Sequence, residues 1–70
     1  MNLKERVKMG LTKKGETIPA LCRKYEVDNE FKMMHVIAEL EYSGDCTLEG
    51  FDRIYREDGG AIYLAKYAKS

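Results

Sequence analysis

The chain has 70 residues, of which 44% are hydrophobic and 34% charged, so it is long enough for one folded domain and too apolar for a disordered segment. Its formal net charge is zero, because a basic first half is balanced by an acidic second half; this excludes the strongly basic composition typical of many nucleic-acid-binding domains. The sequence shows neither a signal peptide nor an apolar run of membrane-spanning length. We therefore expect one domain over residues 1–70, located in the cytoplasm.

Two short helices are predicted in the first part of the chain. The first covers about residues 2–11, where Leu3, Val7 and Leu11 share one helical face behind the N-cap Asn2. The second covers about residues 17–26. It begins at an N-cap threonine, has a proline in its first turn and carries a clean amphipathic stripe.

The third predicted helix covers residues 28–42, with Asp28 as its N-cap, and is apolar around most of its circumference. Only a narrow strip with Lys32, His35 and Glu39 is consistently polar. A helix of this kind is buried on more than one side. It is therefore expected to be the central helix of the domain, or a helix that also meets a partner.

The last third of the sequence is compatible with two structures. Between residues 47 and 57 the apolar side chains fall on one helical face and the opposite face is charged, which predicts a fourth helix. Three alanines favour a fifth helix over residues 61–69. The main prediction is thus an all-α, compact five-helix helix-turn-helix domain. The alternative is a winged helix, in which residues 61–69 are a strand that forms a C-terminal β-hairpin turned at residues 58–60. If residues 47–57 form a helix, three pairs of opposite charge lie four residues apart on it: Glu49–Arg53, Asp52–Arg56 and Arg53–Glu57.

The sequence predicts no catalytic or metal-binding constellation. His35 is the single histidine and is expected to pair with Glu39 at the surface, one helical turn away. Cys22 lies on the apolar stripe of the second helix and is expected in the core, whereas Cys46 lies near a loop and is expected to be exposed. Three scattered Cys and His residues do not supply the four ligands of a structural zinc site. We therefore predict that the protein is not an enzyme and uses no metal or cofactor.

Methionines and tyrosines are the apolar residues with more than one interpretation. The adjacent Met33 and Met34 suit either the core or an adaptable binding surface. Tyr25 and Tyr55 lie on apolar stripes and are predicted to be structural. Tyr63 and Tyr67 lie near lysines and are freer to contact a partner.

The short helix, tight turn and longer helix that start at Thr17 have the order of a helix-turn-helix. In this segment, TIPALCRKYEVD, the chain resembles the λ-repressor-like helix-turn-helix family. Leu21 matches the buried aliphatic position and Cys22 the small residue at the helix crossing, while residues 47–55 look like the family's fourth helix. Glu26 stands where the family usually has a turn glycine.

Two registers are open for the second helix of this motif. In the strict register Lys32 and His35 take positions that the family buries. A turn that is one residue longer puts Met33 and Val36 inward instead.

The resemblance implies which residues would meet double-stranded DNA. Base edges would be read from the second helix of the motif, and phosphates would be contacted by a basic flank, since lysines and arginines neutralise the DNA backbone. The base-reading set is Asn29, Glu30, Lys32 and His35, and the phosphate-contacting set is Lys13, Lys14, Arg23 and Lys24.

Two functions follow from these features. The first is a small DNA-binding protein, a prokaryotic or phage transcriptional regulator that acts as a homodimer on two half-sites. The alternative is a small protein-binding inhibitor or adaptor, of phage or other origin, with no DNA contact. Zero net charge and an outward-facing Phe31 and Met34 favour the alternative.

Overall fold

The computed structural model describes residues 2–70 and shows an α+β fold. A short strand separates the first two helices, and a long β-hairpin follows the third helix. The strands form one antiparallel sheet in the order β1-β3-β2. The elements are α1 (Leu3–Gly10), β1 (Glu16–Thr17), α2 (Ile18–Tyr25), α3 (Glu30–Tyr42), β2 (Cys46–Tyr55) and β3 (Ala61–Lys69).

The prediction of an all-α five-helix domain is wrong in the last third of the chain. Residues 46–55 and 61–69 are paired strands, and the backbone N–H of Arg56 donates to the carbonyl oxygen of Gly60 at 2.8 Å where they meet. Gly59 has φ +91°, a left-handed conformation that glycine adopts without steric cost. The C-terminal β-hairpin of the alternative prediction, turned at residues 58–60, is therefore present.

A β-bulge explains why the second strand resembles a helix in the sequence. Leu48 pairs with Tyr67 and Gly50 pairs with Lys66, so Glu49 is an extra residue that shifts the in-and-out alternation by one position. The apolar residues on the two sides of this bulge therefore fall out of a period of two. The charged side chains pair across the hairpin instead of along a helix, as in the contact of 3.5 Å between Lys66 Nζ and Asp52 Oδ1.

The ends of the helices follow mostly from local signals. The predicted N-caps Asn2 and Thr17 are confirmed: their side chains accept hydrogen bonds from the backbone N–H groups of Glu5 and Ala20. The N-cap of α3 is Asn29 and not Asp28 as predicted, with a hydrogen bond of 3.0 Å from the N–H of Phe31. Because the capping side chain is one residue later than predicted, the turn between α2 and α3 is the longer of the two that the sequence leaves open. Glu26, the C-cap of α2, takes φ +56°, a left-handed conformation that glycine adopts more readily than glutamate does.

The core lies between the three helices and the base of the hairpin. α3 buries Met33, Val36, Ile37 and Leu40, which confirms it as the central helix and agrees with the longer-turn register. The hairpin contributes Cys46 to the same cluster. Its outer half, residues 51–63, is exposed along its whole length and is called the wing below. No helix in residues 2–70 is long and apolar enough to span a bilayer.

Candidate functional site

The face of α3 that points away from the core is also apolar. Phe31 is 80% exposed, Met34 is 50% exposed, and Ala38 and Tyr42 lie exposed further along the helix. A monomeric protein rarely exposes several large apolar side chains side by side unless they meet a ligand or partner. The near-complete apolar circumference of this helix thus divides into a core face and a surface face.

A groove of about 610 Å³ separates this surface face from β3. Ala38 and Ala65 both line it, and their short side chains leave the space between helix and strand open. Tyr67 packs against the core at the base of the strand, while the residues nearer the turn extend beyond the helices. The apolar lining comes from three elements: Ile18 and Pro19 of α2, Met34, Ile37 and Ala38 of α3, and Ile62, Tyr63, Leu64, Ala65 and Tyr67 of β3.

The charged residues of this groove are both acidic. Among residues 2–70, only Glu30 and Glu41 contribute charged side chains to the lining. Burial, with a further effect of the Glu41 carboxylate, raises the pKa of Tyr67 at the inner end. The groove therefore combines apolar walls with a negative potential, and this suits an apolar ligand that carries positive charge.

The predicted base-reading residues are all exposed, at the N-cap and on the first two turns of α3, and two of them also have contacts within the chain. The Asn29 side chain caps the helix and accepts from the N–H groups of Phe31 and Lys32. Glu30 lines the groove. His35 Nε2 lies 3.3 Å from Glu39 Oε1, which confirms the surface pair predicted from the spacing. Lys32 is exposed.

The four predicted phosphate-contacting residues are also exposed, and one of them has contacts within the chain. Lys13, Lys14 and Arg23 are exposed on the α1–β1 loop and on α2. Lys24 instead holds elements together, because its Nζ donates to the carbonyl oxygen of Gly10 at 2.7 Å and to Glu16 Oε1 at 3.1 Å. The hydrogen bond to Glu16 raises the pKa of Lys24.

Sequence reasoning missed the strand side of this groove. The alternation of Ile62 and Leu64 with Tyr63 and Ala65 favours the strand of the alternative prediction, which is correct for this segment. The sequence does not indicate that this strand lies beside α3. Tyr55, predicted to be structural, is 70% exposed on the wing.

Neither thiol occupies an exposed site. Cys22 lies in the core, as predicted, whereas the prediction that Cys46 is exposed is wrong: it is only 4% exposed. The loop between α3 and β2 is short, so the chain returns to the core at the first residue of the strand. Among residues 2–70, no three His, Cys, Asp or Glu side chains are grouped so that they could hold a metal ion.

Both cysteines are expected to resist thiol reagents in the native state. Burial raises the pKa of Cys22, and burial together with Glu41 raises the pKa of Cys46 to about 11. Only the thiolate is nucleophilic, so neither group should react with an aromatic disulfide reagent at pH 8 until the protein is denatured. Stability should also decrease above about pH 9, because the unfolded thiols then ionise while the folded ones stay protonated. Rapid labelling of one thiol in the native protein would contradict the buried position of Cys46.

Similarity to known proteins does not identify the ligand: no family model, curated protein or solved structure matches this chain. The chemistry of the groove is what remains to indicate a partner.

Proposed function

We propose that the protein is a small protein-binding module whose groove between α3 and β3 takes an apolar, basic segment of a partner protein. One observation carries the proposal: a groove of about 610 Å³ with apolar walls, in which the charged side chains are Glu30 and Glu41. Amphipathic segments dock into apolar grooves through their apolar faces, and oppositely charged flanks fix their orientation.

The surface of α3 argues for this ligand over DNA. A helix that reads bases needs hydrogen-bond donors and acceptors at the groove edges of DNA, and lysines or arginines near the phosphates. Here Phe31, Met34 and Ala38 occupy the exposed face, and Glu30 and Glu41 flank it. Carboxylates at these positions would repel phosphates and attract basic side chains.

DNA binding, as a prokaryotic or phage regulator, is the second candidate function. The order of a short helix, a turn, a longer helix and a hairpin favours it, because α3 and the wing are both accessible from outside the domain. Lys13, Lys14, Arg23 and Lys32 are exposed and available for phosphates.

The groove is expected to discriminate between two synthetic helical peptides that share one leucine pattern, one with lysines and the other with glutamates on the polar face. The lysine peptide should bind, and the glutamate peptide should bind much more weakly. Met34→Arg should weaken binding of the lysine peptide about tenfold or more, equal to about 1.4 kcal/mol, because it places a cation in the groove. Fluorescence anisotropy of labelled peptide measures this effect.

The matched control is Tyr42→Arg, which adds the same charge to an exposed α3 residue outside the groove lining. Equal losses from both substitutions would refute the assignment of the groove. A random DNA duplex in the same assay tests the second candidate. Salt-sensitive duplex binding that falls when Lys13, Lys14 and Arg23 are neutralised, with no binding of the lysine peptide, would favour DNA.

A further inference from the structure

β2 is an edge strand with an open outer side. In the sheet order β1-β3-β2 it is bonded to β3 on one side, and it runs for ten residues. Edge strands of this length present unpaired backbone N–H and C=O groups, and proteins commonly protect them with charged side chains, proline or bulges. β2 has a bulge at its inner end and charges of both signs beyond it, a combination that can complement a second copy. β2 contains no proline, and Phe51, Ile54 and Tyr55 on it are exposed.

The register of the hairpin shows which side chains of β2 share a face. Residues alternate beyond the bulge, so Asp52, Ile54 and Arg56 lie on one face, and Arg53 and Tyr55 lie on the other. The hydrogen bond from Arg56 to Gly60 continues the ladder one residue beyond the strand. The guanidinium carbon of Arg53 lies 5.0 Å from the centre of the Tyr55 ring, as expected for neighbours on one face.

We propose that β2 pairs antiparallel with β2 of a second copy about a two-fold axis through Ile54. In this register Asp52 of each copy lies opposite Arg56 of the other, and Arg53 lies opposite Tyr55. Within each copy Asp52 already contacts Lys66, Arg56 contacts Asp58, and Arg53 lies over Tyr55. The dimer extends these exposed contacts across the axis around an Ile54–Ile54 centre, and opposed pairs of these kinds stabilise sheets. The two three-stranded sheets would join into one of six strands.

The alternative registers are less favourable. An axis through Asp52 or Arg53 would place like charges directly opposite each other, which destabilises strand pairing. An axis through Phe51 would run the new ladder into the bulge at Glu49, and an axis through Tyr55 would set Asp52 against Asp58 of the second copy. Charge complementarity therefore selects Ile54 as the centre.

This dimer does not rest on the proposed function. Its contacts come from the outer side of β2, whereas the groove is lined by α2, α3 and β3. β2 ends at Tyr55 and Arg56 continues its ladder, so each strand contributes five residues, 52–56, to a new ladder centred on Ile54. This is well below a standard interface, so the dimer should form in a concentration-dependent manner.

Cysteine cross-linking tests the position of the axis. Ile54→Cys places two thiols opposite each other across the axis, close enough to form a disulfide under mild oxidation. The control is Ile62→Cys, since Ile62 pairs with Ile54 on the same face but one strand further in. Native Cys22 and Cys46 are buried and should not compete. Covalent dimer is expected from Ile54→Cys alone; no cross-link, or equal cross-linking of both variants, would overturn the proposal.

A charge exchange tests the register independently. Asp52→Arg and Arg56→Asp should each shift the protein to the monomer in sedimentation at high concentration, because each puts like charges opposite each other. The double variant should restore the dimer. Circular dichroism checks that all three variants fold. Double and single variants that dimerise equally, or wild-type protein that stays monomeric at all concentrations, would refute the Ile54-centred pairing.

Discussion

Met33→Ala is expected to lower the free energy of unfolding by about 2–5 kcal/mol, whereas Met34→Ala should change it far less. Met33 is fully buried in the core beside Ile37 and Leu40, so its truncation leaves a cavity that the surrounding residues fill only in part. Met34 is half exposed and lines the groove. A domain of this size has only a few kcal/mol of net stability, so the first substitution should leave much of the protein unfolded at room temperature.

Denaturant unfolding followed by circular dichroism measures both variants. Because the two methionines are adjacent and the substitution is the same, differences in helix propensity nearly cancel. Equal destabilisation by the two variants would mean that the assignment of core and groove faces on α3 is wrong. Met34→Ala should keep the fold and lose affinity for the lysine peptide.

Gly10→Ala is expected to destabilise the protein, and Tyr25→Phe should rescue it. A Cβ atom on Gly10 would overlap the Tyr25 hydroxyl group, so the Tyr25 side chain would have to leave its packed position between α1 and α2. Such overpacking typically costs about 1–3 kcal/mol, although alanine is otherwise the better helix former. The hydroxyl is buried and has no hydrogen-bond partner in the part of the chain that the structure describes, so its removal should cost little by itself.

A double-mutant cycle by denaturant unfolding is the appropriate measurement. The double variant should be more stable than Gly10→Ala alone, with a coupling energy of about 0.5–3 kcal/mol. Additive effects of the two substitutions would show that the Tyr25 hydroxyl does not lie against Gly10.

The helices were predictable because their signals are local. Capping side chains at Asn2 and Thr17 and the stripes of α1 and α2 can be read from neighbouring residues. The hairpin was not predicted as the main structure, because the bulge at Glu49 breaks the alternation that would have identified β2. The same bulge gives Leu48 and Phe51, which share one face of the sheet, a spacing of three residues as on a helix. Ile54 lies on the opposite face, so its helical spacing has a different origin.

Only the α3 wall of the groove could be predicted from the sequence. The apolar excess of α3 predicts a helix with more than one apolar face, and Met34 is exposed on the second of them. The opposite wall depends on where β3 lies after the turn at Gly59, and residues such as Ile62 carry no local mark of that position. The long-range pairing of Glu16 with Tyr67, which anchors the strand, likewise has no sequence signal of its own.

Residue-resolved amide chemical shifts during titration with the leucine–lysine peptide test the groove assignment most directly. The proposed function predicts shifts concentrated at Met34, Ala38, Ile62 and Leu64, with little change on α1. It also predicts no comparable shifts on α3 when a random DNA duplex is added at low salt. Shifts of Lys13, Lys14, Arg23 and Lys32 with the duplex, and none in the groove with the peptide, would contradict it.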